Sequence, residues 1–124
     1  MKILLAEDDA NIAVIVKLTL ETVGGHQVTH ASDGEIALAL ATQEAFDLIL
    51  LDEMMPKLNG HKVCLEYNKR AEIPAPVIIM SANPQNPETL KTIGATSSIT
   101  KPFEPMKLNA QLQAILNSPK LKTG

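Results

Sequence analysis

Glu7, Asp8, Asp52, Ser81 and Lys101 are spread over most of this 124-residue chain, yet each stands directly after, or one residue beyond, a short strand-like segment. Three of them are carboxylates. Like charges at short range repel, and each raises the pKa of the others. A hard cation resolves that conflict. An oxygen-only donor set, with no convergent His or Cys, favours Mg²⁺ or Mn²⁺ over zinc. Mg²⁺ keeps several waters and typically takes one or two carboxylates plus a phosphate oxygen, which leaves one carboxylate free. Lys101 adds a cation and Ser81 a hydroxyl donor, and both suit a phosphoryl group beside the metal. Phosphoryl transfer depends on positioning and charge neutralisation. A carboxylate can itself be the nucleophile and become an aspartyl phosphate. Asp52, at the end of the most apolar run, is the best nucleophile.

Such a set is useful only if the fold gathers it. Ile3-Leu4-Leu5-Ala6, Asp47-Leu48-Ile49-Leu50-Leu51 and Pro76-Val77-Ile78-Ile79-Met80 lack polar alternation, which suits strands buried on both faces. Gln27 to His30 is more polar and reads as an edge strand. Ser97 to Thr100 is a brief fifth strand. Helical spacing fills the gaps. Residues 10–22 carry Ile12, Ile15, Val16, Thr19 and Leu20 on one face, with Asp9 as N-cap and Gly24-Gly25 as the stop. Ser32-Asp33-Gly34-Glu35 reads as a capping box opening a helix with Ile36, Ala37, Leu40 and Ala41. A third helix is expected near 61–70. Asn86-Pro87-Glu88 starts a fourth, which Gly94 ends. Glu104-Pro105 starts a fifth, with Leu108, Leu112, Ile115 and Leu116 on one face. From Ser118 the chain is polar, a tail or the start of a linker.

Five β-α units predict a parallel sheet with helices on both faces, an α/β three-layer doubly wound (βα)5 sandwich. Ligands of open α/β sheets bind beyond the carboxyl ends of the strands. The five polar residues therefore converge on one sheet edge. Each has a plainer reading alone: Asp8-Asp9 as a helix cap, Asp52 as a turn former before Pro56, Ser81 as an N-cap, Lys101 as a solvated lysine. Their joint placement is what argues for a site.

Composition narrows the partners. A net charge of −3, with no Lys/Arg run longer than Lys69-Arg70, argues against gripping nucleic acid. One cysteine, Cys64, excludes an internal disulfide and suits a reducing compartment; inside a helical segment it reads as a small buried hydrophobe. No apolar run is long enough to span a bilayer and no signal peptide is evident, so a cytoplasmic protein with no membrane contact is expected. His26, His30 and His61 lack metal-ligand spacing and read as surface or partly buried residues.

Glu7-Asp8-Asp9, Asp47 to Asp52, Met54-Met55-Pro56 with Gly60, Met80-Ser81-Ala82, Gly94-Ala95 and Thr100-Lys101-Pro102-Phe103, in this order, resemble the receiver domains of bacterial two-component response regulators. The resemblance covers roughly residues 2–117, so residues 1–117 are expected to form the receiver domain and 118–124 the tail. It implies a flavodoxin-like sheet of order 2-1-3-4-5. It implies that Asp52 accepts a phosphoryl group from a sensor histidine kinase or phosphotransfer protein, with Ser81 and Lys101 binding the phosphoryl oxygens. Mg²⁺ would be held by the side chains of Asp8 and Asp52 and the Met54 carbonyl, with Glu7 acting mainly through water. A cis Lys101-Pro102 bond is implied as well. Phosphorylation would shift a conformational equilibrium that controls an output partner or domain. The chain would act as a signalling switch that catalyses its own phosphorylation and slow dephosphorylation.

The chain departs from the family pattern at two places. Glu53 follows the acceptor where an apolar residue is usual; it either turns to solvent or adds negative charge near the site. Ser98 stands where many members carry a switch Tyr or Phe, so aromatic coupling to the output face cannot operate in the usual way. Asn83 lies close enough to Ser81 to tune dephosphorylation. Three rival functions are weighed against the switch. A pseudo-receiver that only binds partners is opposed by the intact set of Asp8, Asp52, Ser81 and Lys101. A metal-dependent phosphatase with an Asp nucleophile would want a second Asp where Met54 stands. A flavin carrier would want a Gly/Ser/Thr-rich first loop where Glu7-Asp8-Asp9 would repel a phosphate.

Overall fold

The computed structural model describes residues 1–117; the expected tail from Ser118 lies outside the described residues. Ten elements alternate: β1 (Lys2–Ala6), α1 (Ala10–Gly24), β2 (Gln27–Ala31), α2 (Gly34–Gln43), β3 (Leu48–Asp52), α3 (Gly60–Arg70), β4 (Val77–Ser81), α4 (Pro87–Ile93), β5 (Ser97–Thr100) and α5 (Pro105–Leu116). All strand pairs are parallel, in the order β2-β1-β3-β4-β5. Central β1, β3 and β4 carry the continuous apolar runs. Polar β2 takes one edge, as its sequence predicts, and short β5 takes the other.

The runs are continuous because each strand feeds two cores. Leu4, Ile49, Leu51 and Ile79 face one side, against Ala37 and Leu38 of α2 and Val63 and Cys64 of α3. Ile3, Leu5, Leu50 and Ile78 face the other, against Val16 and Leu20 of α1 and Leu108 and Leu112 of α5. Alternation survives within each strand, but neither face is wet. Each such Leu or Ile, fully buried, stabilises the fold by about 1.5–3 kcal/mol.

Several local readings hold. Asp9 Oδ1 caps α1 by accepting from Asn11 N–H at 2.9 Å and Ile12 N–H at 3.2 Å. Asn86 Oδ1 caps α4 by accepting from Glu88 N–H at 2.8 Å, and Gly94 ends that helix at φ 83°. Lys101-Pro102 is cis. Others are corrected. The cap of α2 is Asp33, whose Oδ1 accepts from Ile36 N–H at 2.9 Å. The helix starts one residue later than a Ser32 cap requires. Glu35 then falls at the second helical position, so the reciprocal capping box cannot close. On α1 the inward stripe is Ala13, Val16 and Leu20. Ile15 is 49% exposed, because one residue of helix turns a side chain about 100° away from Val16. On α2, likewise, Ile36 is exposed and Leu38 takes the buried place. Among the described residues no helix is long and apolar enough to cross a membrane.

Two packing details lead to measurements. Gly60 sits so close beneath Asp52 that an added Cβ would run into the Asp52 carbonyl oxygen, and backbone cannot swing aside as a side chain can. Gly60→Ala is expected to lower stability by about 1–3 kcal/mol, read from the urea midpoint. Cys64 is fully buried, and its thiol donates to the Ile93 carbonyl at 3.3 Å. Burial pushes its pKa up to about 12, against a smaller opposing effect of the Asn68 amide. At pH 8 a thiol-reactive disulfide reagent should therefore modify the native chain far more slowly than the urea-unfolded one.

Candidate functional site

The strand order brings the carboxyl ends of β1, β3, β4 and β5 side by side. Asp52 and Ser81 sit one place earlier than the sequence suggests: they are the last residues of their strands rather than the first beyond them, and Thr100 closes β5 as expected. Sheet hydrogen bonding therefore fixes their backbones. The frame continues past the strands, with Glu7 N–H donating to the Ala31 carbonyl at 3.0 Å and Lys101 N–H to the Ser81 carbonyl at 2.7 Å. His30 Nε2–H donates to the Glu7 carbonyl at 2.7 Å. Asp9 is spent on capping α1, while its neighbour Asp8 stays exposed.

One carboxylate oxygen from each of Glu7, Asp8 and Asp52 lies within 4.8 Å of the others. Glu7 and Asp52 are buried. At about 4 Å two like charges repel by about 4 kcal/mol in partly screened surroundings. Lys101 Nζ spans the two buried carboxylates, donating to Glu7 Oε2 at 3.1 Å and to Asp52 Oδ1 at 3.0 Å. One ammonium among three carboxylates still leaves the cluster with an excess of negative charge. Burial raises the pKa of Glu7 above the usual carboxylate range; the hydrogen bond from Lys101 works against this, and the charge of Asp52 adds to it. For Lys101, burial alone would lower the pKa, but the hydrogen bonds to Asp52 and Glu7 outweigh it and the net shift is upward.

This donor set fits a hard divalent ion. It is all oxygen, anionic in excess of its one ammonium, and open to solvent on the Asp8 side. Met54 lies two residues beyond β3 and is 73% exposed.

Ser81 is at the same sheet edge but faces other company. Its hydroxyl donates to Glu53 Oε1 at 2.9 Å. Glu53 thus does not turn to solvent: its carboxylate stays near the site, on Ser81 and outside the three-carboxylate cluster. Its Oε2 accepts from Gln85 Nε2 at 2.9 Å and meets His61 Nε2 at 3.2 Å. His61 Nε2 also lies 2.7 Å from Gln85 Oε1. Asn83 N–H donates to Ser81 Oγ at 3.1 Å. Sequence reasoning gave Gln85 no role and read His61 only as a surface or partly buried residue; the one signal was the charged residue at position 53. Ser98 is half-buried in edge strand β5, with no ring to fill the space around it.

Glu7 holds its proton more tightly in the folded chain than in the unfolded one. Its ionisation therefore costs stability as pH rises through and above the ordinary carboxylate range. With divalent metal removed by EDTA, Glu7→Gln should unfold at a higher urea concentration than wild type at neutral pH. The two midpoints should converge below about pH 4, where both side chains are neutral.

Comparison with known proteins agrees with this geometry. The profile of the response regulator receiver domain matches residues 3–113. The chain is 39% identical over 115 residues to the probable transcriptional regulator ycf27 of Guillardia theta, covering 93% of this chain and 45% of that protein. It is 38% identical over 117 residues to the alkaline phosphatase synthesis transcriptional regulatory protein PhoP of Bacillus subtilis, covering 93% and 48%. The chain thus spans about half the length of these curated relatives. Among solved structures, the receiver domain of the Francisella response regulator 1452 superposes with a TM-score of 0.81 at 36% identity, covering 92% of this chain and 94% of that one. Chemotaxis protein CheY4 of Vibrio cholerae superposes with a TM-score of 0.80 at 32% identity, covering 93% and 98%. With a strand order, an acidic cluster and a matched span that all agree, the chain belongs to the response regulator receiver domain family, the phosphorylation-controlled switches of two-component signalling.

Proposed function

We propose that Asp52 is the phosphoryl acceptor of this receiver, and that residues 1–117 form the receiver domain. The observation that carries this reading is the Lys101 bridge. It holds Asp52 and Glu7 on one ammonium at the sheet's carboxyl edge, with Asp8 beside them. The Asp52 carboxylate attacks the phosphorus of a phosphohistidine on a sensor kinase or phosphotransfer protein. The P–N bond breaks, its electron pair returns to the imidazole, and an acyl phosphate forms. Lys101 then turns its charge from Glu7 toward the new phosphoryl oxygens, and Ser81 offers them its hydroxyl. Mg²⁺, when bound, neutralises charge on the transferring group. Asp8 and Asp52 would hold it through their side chains, Met54 through its carbonyl and Glu7 through water. Attack by water on phosphorus releases inorganic phosphate and restores the Asp52 carboxylate, and Asn83 at the rim tunes that step.

A donor protein has a place to rest. Ile12, Ile15, Phe103 and Pro105 line an apolar groove that reaches Lys101. The output, whether an attached domain or a separate partner, responds to the shift in conformation. A single buried thiol suits a cytoplasmic setting.

Incubation with acetyl phosphate and Mg²⁺ should add one phosphoryl group to the wild type, read by intact mass. The adduct should be absent from Asp52→Asn and from samples without divalent metal. A wild type that stays unmodified under every condition would make the chain a binding module that keeps only the fold.

A further inference from the structure

Ser81 has one hydroxyl proton to give. In the unphosphorylated chain that proton goes to Glu53 Oε1 at 2.9 Å, although Ser81 stands one strand away from Asp52 at the same edge. Ser81 is 1% exposed, so its hydroxyl has no water to fall back on. Glu53 is itself held in place. Gln85 Nε2 donates to its second oxygen at 2.9 Å, and His61 Nε2 lies 3.2 Å from the same oxygen. Gln85 also donates to the Asn83 carbonyl at 3.2 Å, which ties the turn after β4 into the cluster. Residues of β4, α3 and the β4-α4 loop thus meet on one carboxylate that stands directly after the acceptor.

Resting on the phosphoacceptor reading above, we infer that Glu53 is a positioning residue that holds the Ser81 hydroxyl in the resting state. A phosphoryl group on Asp52 must win that hydroxyl away from Glu53. Two acceptors compete for one donor, so every bit of stability in the Glu53–Ser81 bond is subtracted from the active state. Charge-assisted hydrogen bonds such as this one are among the stronger kinds. The same exchange gives the switch an output route that needs no aromatic ring at position 98. When Ser81 leaves Glu53, the carboxylate loses one of its three partners, and Gln85 and His61, on the β4-α4 loop and α3, are left to rearrange around it.

A double-mutant cycle tests this. Beryllofluoride, a mimic of the acyl phosphate, is titrated at saturating Mg²⁺ into ¹⁵N-labelled full chains of wild type, Glu53→Leu, Ser81→Ala and the double variant. Amide shifts report both binding and folding. Glu53→Leu should bind at least about five-fold more tightly than wild type, and the gain should fall to within about two-fold in the Ser81→Ala background. Glu53→Gln keeps an acceptor for the hydroxyl and should lie between wild type and Leu; it carries the test if Leu disturbs the fold. Equal gains with and without the Ser81 hydroxyl would reduce Glu53 to a nearby charge and overturn the inference. So would a Leu variant that binds no better than wild type. Failure of the wild type to bind beryllofluoride at all, with no adduct from acetyl phosphate, would overturn the phosphoacceptor reading and this inference with it.

Discussion

Lys101 between two buried carboxylates is the interaction on which the rest of the site depends. Its ammonium reaches Asp52 at 3.0 Å and Glu7 at 3.1 Å, drawing together the ends of β1, β3 and β5. Without it, buried Glu7 and Asp52 would face each other with no counter-charge. With it, the cluster is tolerable but still short of positive charge. Burial and repulsion push Glu7 toward its protonated form, while Lys101 is held firmly charged. The site is thus built to gain from any added cation and to give up one of its ion pairs when a new anion arrives.

The sheet makes that geometry possible. A parallel strand buried on both sides is fixed by two layers of helices, and its last residue inherits that rigidity. Asp52 closes β3, where every residue is buried, and Gly60 leaves no slack beneath its carbonyl. Just past that frame lies the rim: Glu53, the turn after Ser81 with Asn83 and Gln85, and the start of α3 with His61.

The sequence showed the frame more clearly than the rim. Apolar runs with no polar alternation could be seen as doubly buried strands, and Asp9, Asn86 and Gly94 as helix ends, because those signals are local. Polar residues at strand ends became a site once the topology was known. Ser32 misled because a capping box and an Asp33 cap differ by a single residue of helix start, and three adjacent small or acidic side chains all suit the position. Ile15 misled because a stripe of β-branched residues on α1 is wider than the face the sheet can cover. The Glu53 cluster was illegible for a different reason. Ser81 and Gln85 lie 28 and 32 residues beyond Glu53, and no spacing rule links a residue after β3 to one in the β4-α4 loop. Only the oddity of a charge at position 53 marked the place.

Edge strand β5 has a consequence of another kind. A parallel sheet ends in a row of unpaired backbone groups, which invites a second chain to add a strand. Here that edge is four residues long, begins with Ser97 and Ser98, and runs directly into Lys101 and a proline. Two hydroxyls in place of bulky apolar side chains leave little to seal such a pairing, and the proline stops it from extending. Ser97 and Ser98, with the proline beyond them, thus make this edge a poor template for a second chain.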